Sequence, residues 1–373
     1  MLVMAFVLSA SAVPPARGAT YVKSIDLNAF LPPTGGVHVC HVAVDPGASP
    51  LTVYVSTLNN SGSTTTSVPL LKIVDPLGAS PTVSVLDTNT MNGAGVSATR
   101  GYGGVSVDGT GAVYAFHGGN GDAAGSRLRR YTREGAAAGD FDNTSVAERL
   151  GGCAASMDKP GYVLATRFTQ STSNEFSHFT VTTTTLGKVN PPTPGTIGDN
   201  PRDCAYNDLD SRLYVNENGL LRVYAPGNAV PPADITNAAA WDAANGATAT
   251  TLLSGTANSF AGHGVGVSVN GPSQGKLVGF TPPQSAGNGY RTVKIVNQAG
   301  VLIDTLGTDS SKGNGSTGLL GRPTDVAISD NGTSRHFFVA DFDDAGVASR
   351  TWNRVAVFSA TFVPVAVSAA SME

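Results

Sequence analysis

One strand-and-turn unit recurs six times along this chain, and such a repeat constrains the fold more than any other feature of the sequence. Its plainest copy is Gly321–Gly332, then Arg335–Asp341, then Asn353–Phe358. Val326 and Ile328 alternate with other residues, as do Phe338 and Ala340, which is the period of a strand. Asp330-Asn331-Gly332 between them is a hairpin turn. The same grammar runs through His41–Asp45, Leu51–Val55 and Leu70–Val74, and through Gly103–Gly109, Ala112–Phe116 and Ser126–Tyr131. It returns in Cys153–Asp158, Gly161–Ala165 and Phe176–Phe179, in Pro201–Asn207, Arg212–Val215 and Leu221–Tyr224, and in Gly264–Val269, Lys276–Phe280 and Thr292–Val296. A fourth strand follows in Thr82–Leu86, Thr250–Leu253 and Val301–Thr305. One such unit cannot bury both of its faces, whereas a closed ring of them can. The expected fold is all-β: one β-propeller over residues 20–365, with six blades of four antiparallel strands. Tyr21–Leu27 belongs to no unit and is expected to supply the missing outer strand of the last one, closing the ring.

Composition agrees. The 373 residues include 45 Gly and 22 Pro, the turn content of many short strands in one ring. A hydrophobic fraction of 41% is enough for a core and excludes disorder. Only 13% of residues are charged and the net charge is −4, which excludes general attraction to nucleic acid or to an anionic membrane. Arg127, Arg129, Arg130 and Arg133 form the one basic cluster, too small to change that balance.

Leu2–Val13 is an apolar run of signal-peptide length, too short to span a bilayer. Small residues precede possible cleavage after Ala12 and after Gly18, so residues 1–18 read as an export signal and the protein as secreted, periplasmic or extracellular, by a bacterial route. No other stretch is long and apolar enough for a membrane span. Residues 226–249 form an insertion, with Ala238–Ala244 as a short helix, and residues 366–373 are a tail or the start of a further domain. Cys40, Cys153 and Cys204 sit in apolar runs; they read as buried thiols, with a Cys153–Cys204 disulfide as the other arrangement.

The last unit, with its Pro-containing turn, Asp-Asn-Gly, Val339-Ala340-Asp341 and Asn353-Arg354-Val355, resembles the NHL repeat of β-propellers. The second and fourth units match in part, and the others keep only the strand grammar. The resemblance implies the propeller and leaves the activity open. It also implies ligands at the channel mouth, where inner strands begin. Aligning the six inner strands places His41, Gly104, Ala154, Asp203, Gly266 and Asp325 at one level, with Arg202 just before it and His38, His263 and Arg322 further out. The candidate ligand-binding residues are thus His41, Arg202, Asp203, His263, Arg322 and Asp325.

His41, Asp203 and Asp325 are also candidate metal ligands, the imidazole favouring Zn²⁺ and the carboxylates Ca²⁺. A competing reading makes Asp203 and Asp325 ring locks that accept backbone N–H groups of the neighbouring blade. Asp341, Asp343 and Asp344 are a second acidic group suited to Ca²⁺. The Glu-Gly-Pro and Pro-Asp-Gly turns of gluconolactonase-like propellers are absent from the sequence. The expectation is a monomeric binding or interaction module rather than an enzyme. It would engage a protein or carbohydrate through the channel mouth and the loops of that face, residues 226–249 included. The alternative is a metal-dependent hydrolase or lyase of the gluconolactonase-like class.

Overall fold

A computed structural model describes residues 18–32, 36–59, 68–88, 99–119, 126–143, 149–168, 174–181, 186–189, 196–197, 201–217, 220–225, 235–237, 248–253, 264–282, 291–308, 315, 317–343 and 351–361. The expected signal segment, the Ala238–Ala244 helix and the C-terminal tail lie outside these residues. Among the described residues no helix is long and apolar enough to cross a membrane.

The chain is an all-β propeller of antiparallel four-stranded units. The first unit comprises Val37–Asp45, Thr52–Asn59, Leu70–Val74 and Thr82–Asp87. The second comprises Thr99–Val107, Val113–Gly119, Ser126–Tyr131 and Ala137–Asn143. Arg149–Ala155, Tyr162–Phe168, Asn174–Val181 and Leu186–Val189 make the third, to which Thr196–Ile197 adds a short pairing. The fourth is Pro201–Asn207, Arg212–Glu217, Leu220–Ala225 and Thr248–Leu253; the fifth is Val265–Val267, Leu277–Phe280, Thr292–Asn297 and Leu302–Gly307. The last unit is Arg322–Asp330, Ser334–Phe342 and Asn353–Thr361, completed by the N-terminal strand Thr20–Asp26. The expected closure by the chain's start is therefore present.

Hydrogen bonding gathers these strands into five sheets, where the repeat predicted six blades. The difference lies between the first two units, which the Leu58↔Gly101 pair joins into one eight-stranded sheet. No local sequence pattern signals that bridge. The inner strands pack in a closed ring, each against the next in chain order and the last against the first.

The core lies between the faces of adjacent units. Tyr54 and Leu70 of the first unit pack with Val105, Val113 and Tyr131 of the second. Leu277 and Ile295 of the fifth pack with Ile328 and Phe337 of the last. Ile25 and Leu27 carry the N-terminal strand into the core between the last unit and the first. Each such side chain contributes about 1.5–3 kcal/mol when fully buried.

The inner strands all begin at one end of the channel. The third-to-fourth-strand connections run at the other end. Residues 226–247 are such a connection, since Ala225 pairs with Thr248. Its described part confirms the placement: Ile235 is buried and its N–H donates to Tyr206 Oη, near the far end of its inner strand. The described part of the insertion, residues 235–237, thus lies away from the channel mouth where the insertion was expected to serve a ligand.

Candidate functional site

The site is built by a backbone irregularity repeated around the ring. Strand register slips between Val39 and Val42, Tyr102 and Gly104, Leu150 and Cys153, Pro201 and Asp203, and Pro323 and Asp325. Each slip is a bulge just inside the start of an inner strand, and a bulge re-aims the side chain beside it. In the first and third units one bond follows the slip, and the fifth unit makes the same bond at the start of its inner strand without a slip. His41 N–H donates to Ser56 Oγ, Gly152 N–H to Thr166 Oγ1, and Gly264 N–H to Thr281 Oγ1. These bonds correct the sequence alignment: Gly152 and Gly264, not Ala154 and Gly266, stand level with His41.

The level therefore holds His41, Gly104, Gly152, Asp203, Gly264 and Asp325. The glycines make room for the carboxylates. A Cβ on Gly152 would collide with Asp203, and one on Gly264 would collide with Asp325. Asp203 comes from the inner strand opposite His41 in the ring, and Asp325 from the strand next to it. His41 Nδ1 lies 3.2 Å from Asp203 Oδ2 and 3.7 Å from Asp325 Oδ2. All three residues are buried. Both distances are within ion-pair range, yet Nδ1 has no hydrogen bond of proper direction to either.

Backbone amides fix the carboxylates. Val265 N–H donates to Asp203 Oδ2 at 3.0 Å. Val42 N–H donates to Asp325 Oδ2 at 2.8 Å, and Val326 N–H to Asp325 Oδ1 at 2.7 Å. The ring-lock geometry is thus present, and it coexists with a cross-channel cluster. Burial pushes the Asp325 carboxyl up to about 6, and the like charge of Asp203 adds to it against the pull of His41. Burial works against a charge on His41, but the Cys40 sulfur and the two carboxylates outweigh it and hold the imidazole well above its ordinary value. Asp203 and Asp325 also line a channel cavity of about 80 Å³, otherwise walled by apolar residues such as Val42, Val105, Val265 and Val326.

The other candidates are placed elsewhere. Arg322 N–H donates to Asp341, and its guanidinium sits 5.5 Å from the centre of the Phe342 ring. His38 packs on Phe342 at 4.4 Å between ring centres. Asp341 is fully buried and bound to Arg354, with Nη2 at 2.8 Å. It also accepts the Gly321 and Arg322 amides. Asp343 accepts from the amide and hydroxyl of Thr351. The motif residues Asp341 and Arg354 thus serve each other, which the sequence reading missed in treating Asp341 as a cation ligand. His263, Asp344 and the Arg202 side chain lie outside the described residues. Among the described residues the one group of three or more chelating side chains is His41, Asp203 and Asp325. Cys40, Cys153 and Cys204 are buried free thiols, so the disulfide alternative falls.

No protein-family model and no curated protein matches the chain. Solved structures share its fold. An α-L-arabinofuranosidase Arb93A from Fusarium graminearum, in complex with an iminosugar inhibitor, aligns with a TM-score of 0.50 at 11% identity, over 91% of this chain and 97% of that one. An α-L-arabinanase from Penicillium chrysogenum, complexed with arabinobiose, aligns with a TM-score of 0.52 at 11% identity, over 94% and 99%. At that identity the likeness shows the propeller and no more. Neither structure is an NHL or gluconolactonase propeller by its description. Both are described as enzymes holding a sugar or an inhibitor, which speaks against the expected binding module and for the enzyme alternative.

Proposed function

We propose that the chain is a hydrolase acting on a carbohydrate-class substrate, with Asp203, Asp325 and His41 as its acid–base groups. The observation that carries this is their convergence across the channel, on bulges that aim them at one another. Hydrolysis needs a base to take a proton from water and an acid to give one to the leaving oxygen. Burial raises the Asp325 carboxyl toward the range in which a carboxylic acid can give up a proton in catalysis. The ligand atoms of the cluster lie within 4.8 Å of one another. Inverting glycosidases keep their carboxyls about 6.5–9.5 Å apart to fit a water between them. Asp203 and Asp325 are too close for that, so in this proposal they work as one unit. The propeller shared with an arabinofuranosidase and an arabinanase supports the substrate class. Export through residues 1–18 and the NHL-like character of the last unit belong to the same proposal. Export would bring the enzyme to extracellular polysaccharide.

The test is a screen of nitrophenyl glycosides, α-L-arabinofuranoside among them, and of arabino-oligosaccharides. The comparison is wild type against Asp203→Asn and Asp325→Asn, each checked for fold by circular dichroism. Turnover should fall by about 100-fold or more in both variants, the usual share of acid–base catalysis. A wild type no faster than Asp325→Asn on every substrate overturns the reading.

A further inference from the structure

We propose that His41, Asp203 and Asp325 hold one divalent cation of the zinc class on the propeller axis, with its open position toward the channel cavity. Zinc sits about 2.0–2.2 Å from imidazole nitrogen and carboxylate oxygen, so tetrahedral geometry spaces its ligand atoms about 3.3–3.6 Å apart. The two measured edges, 3.2 Å from His41 Nδ1 to Asp203 Oδ2 and 3.7 Å to Asp325 Oδ2, bracket that spacing. A second observation is independent of those distances. His41 Nδ1 is buried and lacks a hydrogen bond, although two carboxylates flank it. A lone pair directed between the two oxygens, at a shared ion, accounts for both facts.

The surroundings are those of a supported metal site. The amides of Val265, Val42 and Val326 fix the carboxylates in place, as outer-shell partners do. The donor set decides the class of ion. One nitrogen and two carboxylates from the protein suit a four-coordinate zinc with an open position, whereas calcium takes six to eight oxygens. The open position falls to water, for which the cavity of about 80 Å³ has room. With zinc bound, the three side chains would be ligands and not proton carriers, and a zinc-bound water, losing its proton near about pH 7, would take over as the nucleophile. The binding itself does not depend on the hydrolytic reading; only its catalytic use rests on it.

The full chain, stripped with chelator and dialysed, is titrated with Zn²⁺ by calorimetry and with Co²⁺ by visible absorption. One equivalent of zinc should bind, and cobalt should give the intense bands of tetrahedral coordination. Asp203→Asn and Asp325→Asn should each weaken zinc by more than about 100-fold, beyond the range of outer-shell changes. Asp210→Asn, on the turn at the far end of its unit, should leave binding unchanged. Absence of stoichiometric zinc, wild-type affinity in both site variants, or an octahedral cobalt spectrum overturns the proposal. Where a variant fails to fold, the cobalt spectrum of the wild type decides. One bound zinc with no glycoside turnover keeps the site and removes the hydrolase. Chelator-insensitive turnover by a metal-free chain does the reverse.

Discussion

The backbone N–H of Val42 donates to Asp325 Oδ2 at 2.8 Å, a bond between residues 283 positions apart. It ties the first inner strand to the last, at the level where His41 and Asp203 meet. One carboxylate thus closes the ring and belongs to the candidate site. A site made this way cannot be altered freely without touching stability, and the glycines that accommodate it are the cleanest probes.

Gly152→Ala and Gly264→Ala place a methyl group against Asp203 and Asp325. Neither change removes a site residue. Overpacking of this kind costs about 1–3 kcal/mol. Both variants should melt several degrees lower and should lose zinc binding together with turnover. Full zinc affinity in either variant would show that the carboxylates are not held where the structure puts them.

Asp341 and Arg354 are the clearest buried ion pair. Arg354 also donates to Ser24 Oγ, Thr317 O and Leu319 O, so it staples the N-terminal strand and the preceding loop to the last unit. Breaking a buried pair by removing one partner costs about 3–5 kcal/mol. Asp341→Ala and Arg354→Ala should each fall in that range by urea denaturation, and their double variant should cost less than the two together. Strict additivity would mean that the residues do not act as a pair.

Thr20–Asp26 is an outer strand donated from far along the chain. Its removal would expose the outer edge of Asn353–Thr361 and uncover the space filled by Ile25 and Leu27. Deleting residues 18–30 should lower the melting temperature by many degrees, and a peptide of residues 18–32 added in trans should restore part of the loss. An unchanged melting temperature would leave ring closure without an energetic role.

His336, on the middle strand of the last unit, has its pKa lowered by burial, with Asp330 pulling the other way. The unfolded chain then takes up this proton at a higher pH than the folded chain does. Stability from this group is complete above about pH 6.5 and is lost as pH falls below it. The melting temperature of wild type should therefore drop more between about pH 7.5 and about pH 5 than that of His336→Gln. Equal drops would assign the acid sensitivity to other groups.

How much was legible in advance follows the range of each interaction. Alternation and Asp-Asn-Gly turns act within a few residues, so Gly321–Phe358 could be read directly as three strands of a propeller unit. The backbone geometry that brings Gly152 and Gly264 into line has no local signature, and the alignment missed both by two residues. Asp341 looked like a cation ligand because its partner Arg354 becomes adjacent only once two strands pair.

The sequence by itself determined the strands, the repeated unit, the channel, the closing strand and the identity of His41, Asp203 and Asp325 as candidates. Turn chemistry and hydrophobic period are enough for that, because both are encoded between near neighbours. Only the tertiary structure decided that the three residues meet, that Asp341 is spent on an arginine and that the insertion leaves from the other end. Those facts depend on bulges and on contacts between units far apart in the chain. They exist only after the ring has closed.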